Sequence, residues 1–102
     1  MSSLSEIYFN YDKAIKQAGQ LEAVAKDLKK AADTTMEDIL NDVNSAWKSD
    51  STPQYIKKGQ KVEGDIRITA GNLDNIARAI RTIAQRIKEA ELEAWRIANA
   101  RN

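Results

Sequence analysis

Residues 46–55, AWKSDSTPQY, separate two long apolar repeats and decide the fold of this 102-residue chain. Pro53 is the single proline of the sequence, and Thr52 before it is a residue type that favours a helix N-cap. Because proline is well tolerated at the first position of a helix, we expect a second helix to begin near residue 53. A first helix should then end near Trp47, which leaves residues 48–52 as a short connector.

Apolar residues on both sides of the connector recur in alternating steps of four and three, the spacing of a coiled coil or helical bundle. A connector this short makes neighbouring helices antiparallel, so the predicted fold is an all-α, antiparallel two-helix hairpin forming one domain over residues 1–102. Helix one is predicted over about residues 5–47 and helix two over about residues 53–99. The predicted seam, in the hairpin core or in a dimer, includes Leu21, Leu28, Ile39, Val43, Val62, Ile66, Leu73, Ile76, Ile80, Ile83 and Ile87.

Two irregular points lie on this predicted seam. The step from Ala32 to Met36 is four residues where three were due, and such a slip in phase indicates local unwinding of the helix. Gly59 also lies on the seam, although glycine inside a helix costs about 1 kcal/mol relative to alanine. Either a long helix tolerates Gly59, or the glycine permits close approach of a neighbouring chain segment.

The charges of the two arms are complementary. Residues 1–52 carry six basic and nine acidic residues, whereas residues 53–102 carry ten basic and six acidic residues, which modestly favours pairing of the two arms.

The apolar stripes are wider than one helix partner can cover. Even when the two arms pair, apolar surface stays uncovered, so we expect a dimer in which four helices enclose a shared core. The flanking apolar positions are Ile15, Val24, Ala31, Ile56, Ile68, Ala77, Ala84 and Trp95.

Composition argues against catalysis and cofactors. The chain has no cysteine and no histidine, which removes the usual zinc, haem and iron–sulfur ligands and thiol-based or histidine-based catalysis. Asp33 and Glu37 are helix neighbours, but without histidine they indicate a solvated face rather than a metal site. We expect no cofactor and no nucleic-acid binding, because basic residues alternate with acids and the net charge is +1. No segment approaches the ~20 apolar residues of a membrane span, so we expect no membrane insertion.

Aromatic residues are concentrated at both predicted ends of the hairpin. Trp47 and Tyr55 flank the connector, and we expect Trp47 to close the hairpin tip or to form a dimer contact there. At the other end, Tyr8 and Phe9 precede Asp12, and antiparallel pairing places them near Trp95 and Asn99. This second group is either the end packing of a bundle or a recognition patch, since exposed tyrosine and tryptophan often anchor interfaces.

The connector, with Trp47, Ser49, Thr52, Pro53 and Tyr55, resembles the Trp-x-Gly (WXG) motif region of the Esx-like proteins of type VII secretion. Proteins of that family have a similar length, lack signal peptides, carry the motif at the bend of a helical hairpin, and form homodimers or heterodimers. Ser49 stands where the motif has glycine.

The family's export signal is an aromatic residue followed four residues later by an acid, placed after helix two. Here Trp95 is followed at that spacing by Asn99, which is an imperfect match. Tyr8 and Asp12 match the pattern literally, but they lie near the other terminus.

The resemblance implies a non-enzymatic substrate or co-secreted targeting partner (chaperone) of a Gram-positive type VII, or ESX-like, system. Such a protein is made in the cytoplasm and secreted without a cleavable signal peptide, in agreement with the lack of a basic, apolar signal at Met1 to Glu6. The implied partners are a second copy, a related helical hairpin, the helical N-terminal domain of a larger secreted toxin, and the secretion ATPase. The alternative is an intracellular helical adaptor unrelated to secretion.

Overall fold

A computed structural model describes residues 3–100 as helices joined by one connector. The helices are α1, Leu4–Lys30; a π-helical segment, Ala31–Met36; α2, Glu37–Ala46; and α3, Thr52–Ala100. The fold is an all-α antiparallel helical hairpin of about 100 residues, as the sequence predicted. Two compact units make up the hairpin: a turn unit, Ala23–Asp74, and a terminal unit, whose described residues are 3–22 and 75–100.

Hydrogen bonds join the connector to the first turn of α3. The carbonyl of Ser51 accepts hydrogen bonds from the N–H groups of Gln54, at 3.1 Å, and Tyr55, at 3.3 Å. Thr52 is buried, and its Oγ1 accepts a hydrogen bond from the Ser49 N–H at 3.3 Å. Thr52 is therefore not the residue that caps α3, in contrast to the sequence-based expectation. Its hydroxyl closes the turn instead, because it points back to Ser49.

The helices meet through alanine. Among residues 3–100 no large side chain is fully buried, whereas alanines spaced seven residues apart have little or no exposed surface. The distance between packed helix axes depends on the side chains at the contact, so a row of alanines permits a short distance. The buried alanines are Ala18, Ala25 and Ala32 in the first half of the chain and Ala70, Ala77 and Ala84 in α3.

This alanine contact changes the predicted phase of α3. Val62, Ile76 and Ile83, which were placed on the seam, are exposed, whereas the residue that follows each of them is buried. An alternation of four and three fits either of two adjacent columns. In two of the three pairs the structure packs the smaller residue, Ala77 beside Ile76 and Ala84 beside Ile83, and in the third it packs Glu63 beside Val62. Ala77 and Ala84, expected to flank the seam, therefore lie in it.

The remaining seam residues show how far the correction extends. Leu21, Leu28 and Val43 on the first arm are half-buried, as are Ile66, Leu73 and Ile80, which border both phases of α3. Ile39 and Ile87 are exposed. The prediction that these exposed residues lie in the hairpin's own core is therefore wrong, because alanine occupies the contact between the helices. Their place in an interface with a partner stays a prediction.

The phase slip coincides with the π-helical segment. The structure has a π-helix at Ala31–Met36, which contains both ends of the four-residue step that the sequence shows. A π turn holds more residues than an α turn, so it absorbs an extra residue while keeping the apolar side of the chain turned inward. Met36 at the end of the segment is half-buried, and so are Leu40 and Val43 after it. The expected local unwinding is confirmed.

The glycines of α3 provide a test of close packing. A Cβ at Gly64 or Gly71 would meet no atom within 4 Å, whereas a Cβ at Gly59 would overlap the side chain of Leu40. We expect Gly64→Ala and Gly71→Ala each to stabilise the protein by up to about 1 kcal/mol, which corresponds to a rise in Tm of about 4–8 °C. Gly59→Ala should gain less or lose stability, because Leu40 must move. Thermal melts followed by circular dichroism measure the three values, and an equal gain for all three would contradict this packing.

Candidate partner-binding surface

Three columns of residues run along α3, each with a spacing of seven residues. Because seven residues make nearly two helical turns, each column keeps to one side of the helix. The buried column faces the first arm and consists of Glu63, Ala70, Ala77 and Ala84. The paired column forms polar contacts with the first arm and consists of Arg67, Asp74, Arg81 and Lys88. The exposed apolar column consists of Tyr55, Val62, Thr69, Ile76, Ile83, Ala90 and Ile97.

In the terminal unit the paired column contacts α1 twice. Arg81 Nη2 donates to Glu22 Oε1 at 2.5 Å, and Lys88 Nζ lies 3.9 Å from the centroid of the Tyr11 ring. The hydrogen bond from Arg81 to Glu22 raises the pKa of the Arg81 guanidinium above its ordinary value. These groups are partly exposed, so the contacts select the register of the two helices more than they stabilise the fold.

In the turn unit the same column contacts the first arm again. Lys29 Nζ donates to Asp74 Oδ2 at 2.6 Å, and Arg67 Nε donates to Asp33 Oδ1 at 2.6 Å. The residue numbers rise on one arm as they fall on the other, as antiparallel pairing requires. The polar contacts therefore lie on one flank of α3 in this unit as well.

The exposed apolar column lies on the opposite flank. Four of its members, Val62, Thr69, Ile76 and Ile83, each precede a member of the buried column by one residue, whereas each paired residue follows a member of the buried column by four. At about 100° per residue, these offsets place the two columns on either side of the buried one. In the terminal unit Ile76 is 49% exposed, Ile83 55% and Ile97 49%, and Ile87 beside them is also exposed. One flank of α3 thus forms polar contacts, and the other presents isoleucine to solvent.

The predicted turn motif comes together around a cavity of about 420 Å³. Val43, Trp47, Thr52 and Tyr55 line this cavity. Trp47 has an extended backbone at the end of α2, and its N–H donates to the Val43 carbonyl at 2.9 Å. Its side chain is 66% exposed, and Tyr55 is similarly exposed. The two aromatic residues therefore border an open apolar cavity at the hairpin tip, and a dimer contact of Trp47 there stays a prediction.

The predicted patch at the other end of the hairpin is partly at the surface. Tyr8, Phe9 and Asp12 are exposed, whereas Trp95 is half-buried. Asn99 is exposed, and its Nδ2 donates to the Trp95 carbonyl at 2.8 Å. The side chain of Asn99 is thus bonded to its own helix. A recognition role for these residues stays a prediction.

Sequence reasoning missed a buried acid. Glu63 lies in the buried column, and its Oε2 accepts a hydrogen bond from Arg67 Nη2 at 3.3 Å. The signal was present in the spacing, because a phase one residue later places Glu63 and the alanines of α3 in one column. The more apolar residue of the pair is Val62, and hydrophobicity alone therefore favours the other phase.

No helix within residues 3–100 is long and apolar enough to cross a membrane. Comparisons with protein-family models, curated proteins and solved structures find no match to this chain. The resemblance to Esx-like proteins therefore depends on the connector residues and on the hairpin itself.

The exposure of Trp47 predicts how its removal acts. Truncation of a buried aromatic residue to alanine costs about 3–5 kcal/mol, and we expect Trp47→Ala to cost much less in an isolated hairpin. Its larger effect should be on association, because the open cavity would lose one wall. Ile68→Ala is the matched control, since Ile68 is similarly exposed and lies outside the cavity and the exposed apolar column. Thermal melts and sedimentation equilibrium measure the two effects, and a full-sized loss of hairpin stability would contradict the exposed position of Trp47.

Proposed function

We propose that this protein is a non-enzymatic binding module, in which the exposed apolar column of α3 packs against a second pair of helices. The observation that carries this proposal is the row of half-exposed isoleucines in the terminal unit, on the flank of α3 opposite its polar contacts. Exposed apolar residues are common singly, but a row at heptad spacing is typical of a helix–helix interface.

The energetics favour association through many equivalent contacts. Complete burial of an isoleucine side chain contributes about 1.5–3 kcal/mol, and about half of each side chain in the column is already covered. Each isoleucine can therefore add on the order of 1 kcal/mol when a partner covers it. The partner must cover several of them together, because association itself costs at least about 4 kcal/mol.

A second hairpin supplies the required apolar surface. Two copies that pack through their exposed columns bury the isoleucines of both and form a four-helix bundle. A related hairpin, or the helical N-terminal domain of a larger secreted toxin, can fill the same place if it carries a similar column.

We further propose that the complex is a substrate, or a co-secreted targeting partner, of a type VII secretion system. Two features support this role: the hairpin fold, and the WXG-like connector with an exposed Trp47 at its bend. The protein would then leave the cell without a cleavable signal peptide, and the secretion ATPase would be its second partner.

The binding proposal is tested by charge substitution in the column. We expect the wild-type protein to have twice the mass of one 11.4 kDa chain at micromolar concentration, measured by light scattering. Ile76→Glu with Ile83→Glu should give a folded monomer, because two carboxylates would be buried at the interface. The matched control is Ile68→Glu with Thr82→Glu, which adds the same charge at exposed positions outside the column. A wild-type monomer, alone and with co-expressed helical partners, would refute the proposal.

The secretion role is tested separately. Tyr8→Ala with Asp12→Ala should abolish export and leave the thermal melt unchanged, because both side chains are exposed. Lys13→Ala with Lys16→Ala is the control at neighbouring exposed positions. Export is measured in the culture medium with and without an active secretion ATPase. If the unmodified protein stays inside the cell in both strains while it still dimerises, the alternative of an intracellular adaptor is correct.

A further inference from the structure

A column of mostly charged residues borders the exposed apolar column of α3 on the side away from the first arm. Each member follows a residue of the exposed apolar column by three, which places it about 60° round the helix from that column. All six members are exposed, and their order along α3 is basic, acidic, neutral, neutral, basic, acidic. This outer column consists of Lys58, Asp65, Asn72, Ala79, Arg86 and Glu93.

The charges of the outer column take no part in the pairing of the two arms. None of the ion pairs among residues 3–100 involves Lys58, Asp65 or Arg86. Glu93 accepts a hydrogen bond from Arg96 Nη1 at 3.0 Å, and Lys58 Nζ lies 5.9 Å from the centroid of a ring on the same helix. These contacts stay within α3, so the outer column can meet charges of a second molecule.

The opposite border of the exposed apolar column is aliphatic. Residues that follow the exposed apolar column by four lie about 40° round the helix, between it and the buried column. Ile66, Leu73 and Ile80 are half-buried there, and Ile87 is 52% exposed. This inner aliphatic column faces the side of the first arm. The exposed apolar column therefore has charges along one border and aliphatic side chains along the other.

This asymmetry selects the direction in which a second α3 packs. When two right-handed helices of the same sequence pack antiparallel, equivalent borders lie on the same side of the contact. The outer columns then face each other, and so do the inner aliphatic columns. When the helices are parallel, the outer column of each faces the inner aliphatic column of the other. Because charged groups are costly to bury against aliphatic side chains, the antiparallel pair is favoured.

The order of charges in the outer column selects one antiparallel register. When Asn72 of one copy faces the second copy's Ala79, Lys58 faces Glu93 of the second copy and Asp65 faces its Arg86. Both ion pairs form twice, because a two-fold axis relates the copies. A shift by seven residues in one direction places Lys58 against Arg86, and the opposite shift places Asp65 against Glu93. Each shifted register therefore brings like charges together.

The exposed apolar column fits the same register. Ile76 then lies at the two-fold axis against its own equivalent, and Ile83 faces Thr69 of the second copy. Thr69 Oγ1 donates to the Asp65 carbonyl of its own helix at 3.0 Å, so a second molecule can cover Thr69 without leaving its hydroxyl unbonded. A large residue thus meets a smaller one on either side of the axis.

We propose that the exposed apolar column is covered by a second copy of this chain, with the two α3 helices antiparallel and the two-fold axis beside Ile76. Lys58 and Asp65 of each copy then pair with Glu93 and Arg86 of the other at the edge of the contact. This inference rests on the proposed function, because it specifies the partner, direction and register of that interface. The edge pairs act mainly through specificity, since other registers oppose like charges.

Charge reversal at the edge tests direction and register together. Asp65→Arg places arginine against Arg86 of the second copy, and Arg86→Asp places aspartate against its Asp65. We expect each variant alone to raise the Kd of the dimer about tenfold at low salt, because both symmetric pairs become repulsive. A mixture of the two variants should regain the wild-type Kd as a heterodimer, because both facing pairs are again opposite in charge. In a parallel pair these positions are about 30 Å apart, too far for such a rescue.

Arg78→Asp and Glu89→Arg are the matched control, because both residues are exposed on α3 outside the interface columns. Sedimentation equilibrium gives the Kd of each variant alone and of each mixture, and circular dichroism checks that the helix content is unchanged. The control variants should keep the wild-type Kd. A wild-type dimer whose Kd does not respond to Asp65→Arg or Arg86→Asp, or a mixture without rescue, would overturn this direction and register.

The proposed function fails in a different measurement. If Ile76→Glu with Ile83→Glu leaves association unchanged, the exposed apolar column is not the interface, and both proposals are wrong. If the wild-type chain is monomeric alone and binds a different helical hairpin through the same column, the second copy is refuted as the partner and the proposed binding function stands.

Discussion

The close contact of two helices through alanine is the constraint on which the rest of this structure depends. Alanine has no side-chain atoms beyond Cβ, so helices that meet through it approach closely. Among residues 3–100, alanine accordingly occupies most of the buried positions, and the larger buried residues include Ile7 and Glu63. Other large residues project along the flanks, where Ile76 and Ile83 are half exposed beside the buried Ala77 and Ala84.

The two flanks of α3 have different chemistry as a result. On one flank, residues spaced by seven form ion pairs or a cation–π contact with the first arm and so select the register of the hairpin. On the other flank, the residues at the same spacing are mostly aliphatic and have no polar partner to meet. A hairpin built in this way buries little of its own apolar surface, which is the physical basis for proposing a partner on that flank.

The turn unit accommodates an irregular stretch without losing the antiparallel contact. The π-helical segment absorbs the phase slip, and Gly59 leaves the space that the side chain of Leu40 occupies. The cost of the arrangement is electrostatic, because the same contact buries the carboxyl group of Glu63, whose Oε1 has no hydrogen-bond partner.

The sequence by itself determined the all-α class, the antiparallel hairpin and the position of the irregular turn. Each of these follows from a local or periodic signal: the alternation of four and three, the proline after a short polar connector, and the extra residue between Ala32 and Met36. Such signals are strong because backbone geometry fixes the helical period. The sequence also grouped Trp47 with Tyr55, since the connector that separates them is short.

Only the tertiary structure decided which of two adjacent columns on α3 faces the first arm. Val62 with Glu63 and Ile76 with Ala77 fit the same alternation, so periodicity does not separate them. Which column faces the first arm depends on the distance between the helices. That distance is set by the side chains of both helices, including the small residues that α1 places opposite α3. That single difference in phase placed Ile76 and Ile83 at the surface and buried Glu63.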